Sequence, residues 1–293
     1  MCRRALSGRF KKNFWWEGVR KGKEKGAGIG KLCEVYGYSR QGYYRRRGIE
    51  ERRKKEEVAV IVEVQKIRRR QPRVGGRKLQ RMLRNEEVAI GRDRLFRVLR
   101  ERGLLVRRKK KYMRTTQSAH QFKVYKNLIW YEKPTRAEEV FVADITYIDT
   151  LEGYSYLSLI TDQYSRKIVG YALSKSLSIE GSMAALKMAL RGRKAPKELI
   201  HHSDRGIQYC SKGYTDLLKK KGVQISMTEE NHVYENALAE RVNGILKDEL
   251  KLGEKLLSYY VAKKLVDEAV KIYNEERLHM SLGYITPAQK HAA

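Results

Sequence analysis

Two different spacings of apolar residues divide the chain into two halves. From about residue 51 to residue 106, apolar positions recur every three or four residues, as in amphipathic helices. From residue 139 onward, short apolar runs alternate with helical patterns, which is typical of a layered α/β domain. The chain has 293 residues, of which 41% are hydrophobic, so it can form two or three domains with buried cores.

Three helices are predicted in the first periodic region, at about 56–70, 77–85 and 92–102. Pro72 and the following glycines separate the first two, and Gly103 ends the third. The residues predicted to lie at helical spacing or to face inward are Val58, Ile61, Val62 and Gln65 in the first helix, Leu79, Met82 and Leu83 in the second, and Leu95, Val98 and Leu99 in the third. This is the pattern of a helix-turn-helix.

The N-terminal region gives a weaker pattern. Residues 29–47 predict two short helices around Gly37. Residues 1–28 are basic and glycine-rich without a clear period, so we expect a poorly ordered or partner-dependent arm. The predicted domains are an N-terminal arm with a short helical segment at 1–50, a helix-turn-helix domain at 51–115, a basic linker at 116–135, and a catalytic core with C-terminal helices at 136–293.

The second half predicts strands and helices in the order βββ-α-β-α-β-α, followed by one more helix. The predicted strands are 140–149, 154–161, 166–173, 199–202 and 224–227, and the predicted helices are 179–190, 211–221, 236–250 and 261–276. The second and third strands would form a hairpin. Such an order is typical of a mixed sheet covered by helices.

The charge is unevenly distributed. The formal net charge is +30. Residues 1–140 contain 42 Lys and Arg against 15 Asp and Glu, whereas residues 141–293 contain 22 against 19. A strongly basic half beside a nearly neutral half indicates a nucleic-acid-binding region joined to a region with another task. The alternative is a ribosomal-type or nonspecific basic protein, which would leave the second half unexplained.

Arginines are concentrated on the third predicted helix. We expect it to lie in the major groove of double-stranded DNA, with Arg92, Arg94, Arg97 and Arg100 on its outer surface. The alternative is a solvated basic helix in a small bundle. A cationic segment follows, and its residues Arg107, Arg108 and Lys109 are expected to contact DNA phosphates.

Three carboxylates stand where metal chemistry is plausible. Asp144 interrupts an apolar strand, Asp204 follows a second strand, and Glu240 lies on a predicted helix with thirty-five residues between it and Asp204. An acid in an apolar strand is costly unless a cation or a hydrogen-bond donor compensates it. Hard oxygen ligands suit Mg²⁺ or Mn²⁺, and two such ions cleave phosphodiester bonds well. We therefore predict these acids to be catalytic residues that bind two metal ions.

Supporting groups are predicted around these acids. Lys247 lies two helical turns after Glu240 and could meet a substrate phosphate, although it could also be a solvated helix residue. His202 and Asn236 could order the ligands or contact phosphate. Glu235 and Glu249 lie on or near the same helix and remain alternatives to Glu240.

Other chemistries find less support. Cys2, Cys33 and Cys210 are scattered, so neither a structural zinc site nor a disulfide framework is expected. No phosphate-binding GxxxxGK[ST] run or GxSxG motif occurs. The 19 tyrosines suggest a tyrosine recombinase, but no supporting constellation of arginine and histidine accompanies them. With neither a membrane span nor a secretory signal, we expect a cytoplasmic, nucleoid-associated protein without a membrane partner.

Several motifs together resemble the bacterial insertion-sequence transposases of the DDE class. The branch is the one made from two overlapping reading frames and related to retroviral integrases. The resemblance covers nearly the whole chain from about residue 30. It is carried by the residues from Leu32-Cys33 to Tyr44-Arg45, the segment from Arg73 to Leu104, the strand Ala143–Ile148, the run His202–Tyr209, the segment Tyr234–Glu240 with Asn243-Gly244 and Lys247, and the residues Tyr273–Arg277 with His279 and Thr286-Pro287.

The resemblance implies an α/β protein whose RNase H-like mixed-sheet catalytic core is preceded by all-α helix-turn-helix DNA-binding segments. It implies a metal site at Asp144, Asp204 and Glu240, cleavage of element ends, and attack of the freed 3′-hydroxyl on target DNA. Expected partners are element ends and target DNA, further copies of the chain on DNA, and a segment from the upstream reading frame. Departures from the family pattern, at Glu235, Arg241-Val242 and Leu278, remove no expected ligand.

A second hypothesis from another class stays open. The chain could be a DNA-binding regulator whose core is catalytically inactive. The three intact acids argue against it, and an assay for magnesium-dependent nicking separates the two hypotheses.

Overall fold

The computed structural model describes residues 8–106, 123–129, 133–193, 198–229 and 237–293. The chain divides into two compact units, Met1–Val64 and Gln65–Ala293. No helix within these described ranges is both long enough and apolar enough to cross a membrane.

The first unit begins with a helix that the sequence did not predict. Helix α1 (Gly8–Glu24) occupies most of the segment expected to be a poorly ordered arm, and α2 (Ile29–Val35) follows. Trp16 and Val19 of α1 are buried in a small cluster with Cys33 and Tyr43. The rings of Trp16 and Tyr43 lie 5.3 Å apart. Apolar partners elsewhere in the unit stabilise this helix, although its own sequence is strongly basic, so Gly8–Glu24 is not the poorly ordered segment that was one of the two expectations.

Helix α3 (Arg40–Arg70) is longer than expected, since no break occurs at the predicted boundary near residue 50. Ion pairs one helical turn apart join Arg46 to Glu50 and Arg47 to Glu51, and they favour continued helix across Gly48. The predicted helical stripe is also wrong. Val60 and Val64 are buried, whereas Val58 and Val62 are 54% and 58% exposed. Both pairs have the same four-residue spacing, so periodicity could not choose between them.

Helices α4 (Gly76–Asn85) and α5 (Arg92–Glu101) form the predicted helical pair. Their ends agree with the sequence prediction to within one residue. Leu79 and Leu83 of α4 are buried, and so are Leu95, Val98 and Leu99 of α5. The inward-facing positions were therefore predicted correctly except that Met82 is only partly buried.

The second half is built on a five-stranded mixed sheet in the order β3-β2-β1-β4-β5. The strands are β1 (Val140–Thr150), β2 (Gly153–Asp162), β3 (Ile168–Ser174), β4 (Ile200–Ser203) and β5 (Gln224–Met227). β1, β2 and β3 pair antiparallel, whereas β4 pairs parallel to both β1 and β5. This confirms the expected RNase H-like mixed sheet.

Helices cover both faces of the sheet. They are α6 (Ile179–Arg191), α7 (Ile207–Cys210), α8 (Lys212–Lys220), α9 (Ala237–Asp248) and α10 (Tyr259–Lys271). Phe141 and Ala143 of β1 contribute to a core with α6 and α8, whereas Ile148 of the same strand contributes to a core with α9 and α10. Gly170 of β3 allows α6 to approach closely, because an added Cβ would lie 2.2 Å from the Ala185 carbonyl oxygen.

The C-terminal segment closes the fold at the hairpin between β2 and β3. After α10 the chain forms a π-helical turn (Ile272–Glu276), a 3₁₀ turn (Met280–Leu282) and α11 (Pro287–Ala292). Thr286 caps α11 through a capping box, and Pro287 takes its first turn. His291 Nδ1 lies 3.0 Å from Ser165 Oγ in the hairpin turn, which anchors the helix.

A buried ionic cluster joins α4 to the end of α9, and we call it the Glu249 clasp. Lys78 Nζ donates to Glu249 Oε2 at 2.7 Å. Arg277 donates to both oxygens of the same carboxylate, from Nε at 2.9 Å and from Nη2 at 2.8 Å. The backbone N–H of Arg73 also donates to the Glu249 carbonyl at 3.3 Å. The clasp therefore fixes the helical pair to the segment that follows α9.

Candidate active site

Asp144 lies in the middle of β1, on the face of the sheet that α9 covers. Its Oδ1 accepts a hydrogen bond from the Ile145 N–H at 2.9 Å, and its Oδ2 accepts one from Asn243 Nδ2 of α9 at 2.6 Å. Asp144 as a residue is partly buried. Both carboxylate oxygens are oriented by these hydrogen bonds.

Asp204 comes directly after β4, which places it beside Asp144. Ala143 and Ser203 are partners in the parallel β1–β4 register, so the next residues, Asp144 and Asp204, lie beside each other across the two strands. The Gly206 N–H donates to Asp204 Oδ1 at 3.0 Å. A Cβ at Gly206 would also lie 3.0 Å from that oxygen, so a glycine lets the backbone approach the carboxylate.

Burial and like charges make these carboxyls hard to ionise. Burial and, to a smaller extent, the charges of Asp204 and Glu240 together raise the pKa of Asp144 to about 7, against the lowering effect of its hydrogen bonds with the Ile145 N–H and Asn243. Burial also raises the pKa of Asp204. A cation bound here would reverse these shifts, and below about pH 7 it would have to displace a proton from Asp144.

Helix α9 brings three polar side chains to the same side as Asp144. Glu240, Asn243 and Lys247 are separated by three and four residues, so they follow one face of the helix. Glu240 is exposed, whereas Asn243 is buried. No role for Asn243 was predicted from the sequence. Its three-residue spacing from Glu240 was the available signal.

Lys247 is held between an aromatic ring and the acids. Its ammonium lies 3.8 Å from the centre of the Tyr147 ring on β1, which is a close cation–π contact. Burial lowers the pKa of Lys247, and the nearby charges of Asp144 and Asp248 oppose that decrease. Lys247 is therefore an oriented cation near Asp144, as a phosphate contact would require, and not a fully solvated helix residue.

Two observations bear on whether Asp144, Asp204 and Glu240 could bind a metal ion. Within the described ranges, no group of three or more His, Cys, Asp and Glu side chains is close enough together to hold a metal ion. Asp144, Asp204 and Glu240 are thus electrostatic neighbours without forming a ready-made ligand cluster. Their oxygens nevertheless have the hard donor chemistry that Mg²⁺ and Mn²⁺ prefer. Asn243 Oδ1, on the amide that contacts Asp144, is buried without a hydrogen-bond partner and adds another oxygen donor.

His202 is buried in β4, two residues before Asp204. Its Nδ1 is 2.9 Å from Ser226 Oγ, and its Nε2 is buried without a hydrogen-bond partner. Burial lowers the pKa of His202 to about 4, so the ring is neutral near pH 7. Its role in ordering the acids stays a prediction. His201 points into the other core, where its Nε2 lies 2.9 Å from the Tyr214 hydroxyl, as expected for a packed strand histidine.

The remaining predicted site residues are distributed as follows. Arg92, Arg97 and Arg100 are exposed on α5 and Arg94 is partly buried there, so the predicted outer surface of this helix is largely present. Arg107, Arg108, Lys109, Asn236 and the alternative ligand Glu235 lie outside the described residues. The other alternative, Glu249, is engaged by Lys78 and Arg277 in the Glu249 clasp. That engagement favours Glu240 as the third acid.

The chain is similar to known integrase and insertion-element proteins. Two families described as "Integrase core domain" match residues 134–232 and residues 221–287. An insertion element IS600 uncharacterized 31 kDa protein from Shigella sonnei is 37% identical over 262 residues, covering 88% of this chain and 96% of the relative. Transposase InsF for insertion sequence IS3A from Escherichia coli K12 is 30% identical to this chain over 264 residues, covering 88% and 92% of the two chains. The chain belongs to the insertion-sequence transposases with an integrase core.

Solved retroviral proteins also match this transposase. The HTLV-2 integrase catalytic core domain in complex with magnesium is 18% identical, with a TM-score of 0.44, over 54% of this chain and 98% of that chain. The simian T-cell lymphotropic virus intasome in complex with the PP2A regulatory subunit B56 gamma is 16% identical, with a TM-score of 0.48, over 75% and 71% of the two chains.

If Asp144 binds a metal ion as predicted from the sequence, replacing Asn243 by Ala should reduce DNA strand cleavage about 10- to 100-fold, the usual effect of losing a group that orients a metal ligand. The variant lacks the amide that holds Asp144 Oδ2, and the pKa of Asp144 should rise further because that hydrogen bond lowers it. Initial cleavage rates between pH 6 and pH 9 measure both effects. The expected profile needs a higher pH to reach its plateau. Cleavage with the wild-type rate and pH profile would show that Asn243 does not position Asp144.

Proposed function

We propose that this transposase cuts DNA at the ends of its insertion element and joins the freed 3′-hydroxyl to target DNA, using two divalent metal ions. Magnesium is the expected ion, and manganese is expected to replace it. The observation that carries the proposal is the placement of Asp144, Asp204 and Glu240. Their charges are close enough for the second and third acids to raise the pKa of the first.

Each residue of the site has a proposed task. Asp144, Asp204 and Glu240 would hold the ions through their carboxylate oxygens. Bound metal supplies activation of the attacking oxygen and stabilisation of the leaving oxygen. Asn243 keeps Asp144 oriented, and Lys247, already aimed by Tyr147, would contact a phosphate of the strand to be cut.

The basic helical region supplies the proposed grip on DNA. Exposed arginines on α5 would reach the major groove, and the basic segment after Val106 would contact phosphates. Joining two element ends to one target requires several active sites, so we propose that further copies of the chain assemble on the DNA. A segment from the upstream reading frame is a further proposed partner, and the cytoplasm near the nucleoid is the proposed location.

One observation favours a second candidate, a DNA-binding regulator with an inactive core. The described residues contain no ready-made cluster of three metal-binding side chains. In this case the protein would bind element-end DNA with a steep salt dependence but would not cut it, because phosphate contacts alone account for the binding.

Metal removal distinguishes the two candidates. The purified full chain is incubated with a labelled duplex carrying the element end, in Mg²⁺, in Mn²⁺ or in EDTA. We expect strand-specific nicks at the element end with either ion and none with EDTA. A duplex with a scrambled end serves as the control for sequence dependence. Tight binding without nicking in both ions would support the regulator.

A further inference from the structure

Three tyrosines lie together on one face of the sheet, and the outer one is exposed. Tyr147 of β1 is directly opposite Tyr156 of β2. Tyr154 of β2 pairs with Asp149, so it is the diagonal neighbour of Tyr147 on the same face. The rings of Tyr147 and Tyr154 lie 5.4 Å apart, edge to face at 73°. Tyr154 is 59% exposed, whereas the other two tyrosines are partly buried.

The contact between the two rings leaves Tyr154 able to accept a further ring. In an edge-to-face pair the edge of one ring meets one face of the other, so Tyr147 occupies at most one face of Tyr154. Helix α6 lies farther along β2, where Ser182 Oγ is 3.3 Å from Ser158 Oγ. An aromatic ring that is mostly in solvent therefore stands at the start of β2.

Lys247 connects these tyrosines to the acids. Its ammonium lies 3.8 Å from the centre of the Tyr147 ring. One turn earlier on the same helix face, Asn243 donates to Asp144 at 2.6 Å. Asp144 and Tyr147 belong to one strand, in which three residues span about 10 Å. Stacked bases of one DNA strand are about 3.4 Å apart, so a strand cut at Asp144 and running along β1 has bases within about three positions of the cut near Tyr147.

The charges around Tyr154 suit a nucleobase better than a phosphate. Its register partner Asp149 is acidic, and so is the nearby exposed Glu152, whose Oε2 accepts the Tyr259 N–H at 3.1 Å. These carboxylates would repel a backbone phosphate, whereas a base presents an uncharged π face to a ring. The arrangement therefore separates a cation for the backbone, Lys247, from a ring for a base.

We propose that Tyr154 stacks on an unpaired base of the DNA strand that is cut, within about three nucleotides of the cleaved bond. Tyr147 holds Tyr154 in place through the edge-to-face contact, and Lys247 binds the adjoining phosphate. The proposal rests on the proposed function in one respect, namely that DNA is cut at the three acids. Stacking tolerates any base, so Tyr154 stabilises the unpaired strand without reading its sequence. No DNA contact predicted from the sequence included Tyr147 or Tyr154.

The test measures DNA binding by the full chain in EDTA with three element-end duplexes. One is fully paired, one has three unpaired bases on the cut strand at the element end, and one has abasic nucleotides at those three positions. Tyr154→Ala should weaken binding of the unpaired duplex about 5- to 150-fold, the usual effect of losing one aromatic stack. It should leave binding of the abasic duplex unchanged. Tyr154→Phe retains the ring and should bind all three duplexes like wild type.

A matched control and a second readout decide the interpretation. Tyr260→Ala removes a tyrosine that is 71% exposed on α10, and it should bind all three duplexes like wild type. Thermal unfolding of every variant should stay near that of wild type, because both positions are exposed. Tyr154→Leu keeps an apolar side chain beside Tyr147 without a flat ring, and it should lose binding of the unpaired duplex as Tyr154→Ala does.

Two results would overturn the proposal. The first is equal affinity of wild type and Tyr154→Ala for the unpaired duplex. The second is an equal loss on the unpaired and abasic duplexes. If sedimentation then shows fewer copies of the chain in each complex, Tyr154 is a contact between copies and not a contact with a base.

Because the assay contains EDTA, its result is independent of cleavage. A wild-type chain that nicks element ends, with no effect of Tyr154→Ala on binding, would keep the proposed function and lose only the stacking contact. A chain that never nicks DNA can still show the Tyr154 effect, and in that case the proposed function fails while the base contact stands.

Discussion

Replacing Asp204 by Asn is expected to abolish strand cleavage while DNA binding stays largely intact. The amide keeps the size of the carboxylate, and its oxygen can still accept the hydrogen bond from the Gly206 N–H. It loses the negative charge that a metal ion requires. Metal stabilisation is worth several kcal/mol of activation free energy, so a loss of about a thousandfold or more is expected. Single-turnover cleavage of element-end DNA at saturating Mg²⁺ measures it.

A matched control separates the lost ligand from a general loss of negative charge. Asp149→Asn makes the same chemical change farther along β1 and should cleave at close to the wild-type rate. Binding of element-end DNA in EDTA and thermal unfolding establish that both variants fold. If Asp204→Asn binds DNA, unfolds like wild type and still cleaves, the assignment of Asp204 as a metal ligand is wrong.

Replacing Glu249 by Gln should destabilise the second unit by about 3–5 kcal/mol, the usual cost of removing one partner from a buried ion pair. The change leaves Lys78 and Arg277 buried without their shared counter-charge. The hydrogen bonds and charges of those two residues hold the pKa of Glu249 at about 2 in spite of its burial. Burial and the charge of Arg277 lower the pKa of Lys78. The cost of keeping this lysine charged therefore offsets part of the stability that the ionised Glu249 provides. Urea unfolding at pH 7 measures the difference.

The pH dependence of this difference has a definite sign. Because the pKa of Glu249 is lower in the folded chain than its ordinary value of 4.5, its stabilising contribution is complete above pH 4.5 and decreases as the pH falls toward 2. The gap in unfolding free energy between wild type and Glu249→Gln should therefore shrink between pH 5 and pH 3. Glu254→Gln, at an exposed position, should unfold like wild type throughout. A gap that stays constant over this range would show that the clasp does not act through the ionised carboxylate.

Local pattern predicted the sheet better than it predicted the N-terminal helices. β5 was predicted with its observed ends, and the other strands within about two residues, because apolar runs bounded by turns are strong local signals. Helix α1 was missed because Trp16 and Val19 are buried against Cys33 of α2 and Tyr43 of α3, and such contacts between helices leave no periodic signal in α1 itself. The buried stripe of α3 was misplaced because two valine pairs share one spacing.

The candidate site shows a similar division. The convergence of Asp144 and Asp204 was expected from the sequence, and it depends on the parallel pairing of β4 with β1, which places the residue after Ser203 beside the middle of β1. The contact of Asn243 with Asp144 depends on how α9 lies across the sheet, which the sequence alone does not specify. The preference for Glu240 over Glu249 as the third acid likewise rests on the pairing of Lys78 and Arg277 with Glu249. These residues are distant in sequence, so the sequence alone does not specify the pairing.

The Glu249 clasp has a consequence for where a bound duplex could be cut. Helix α4 cannot tilt without pulling on the end of α9, the helix that carries Glu240. A duplex bound by α5 would therefore lie at a fixed distance from the three acids. The number of base pairs between the sequence bound by α5 and the cleaved bond would then be constant. A base pair inserted between them would move the cut by one position relative to the original sequence.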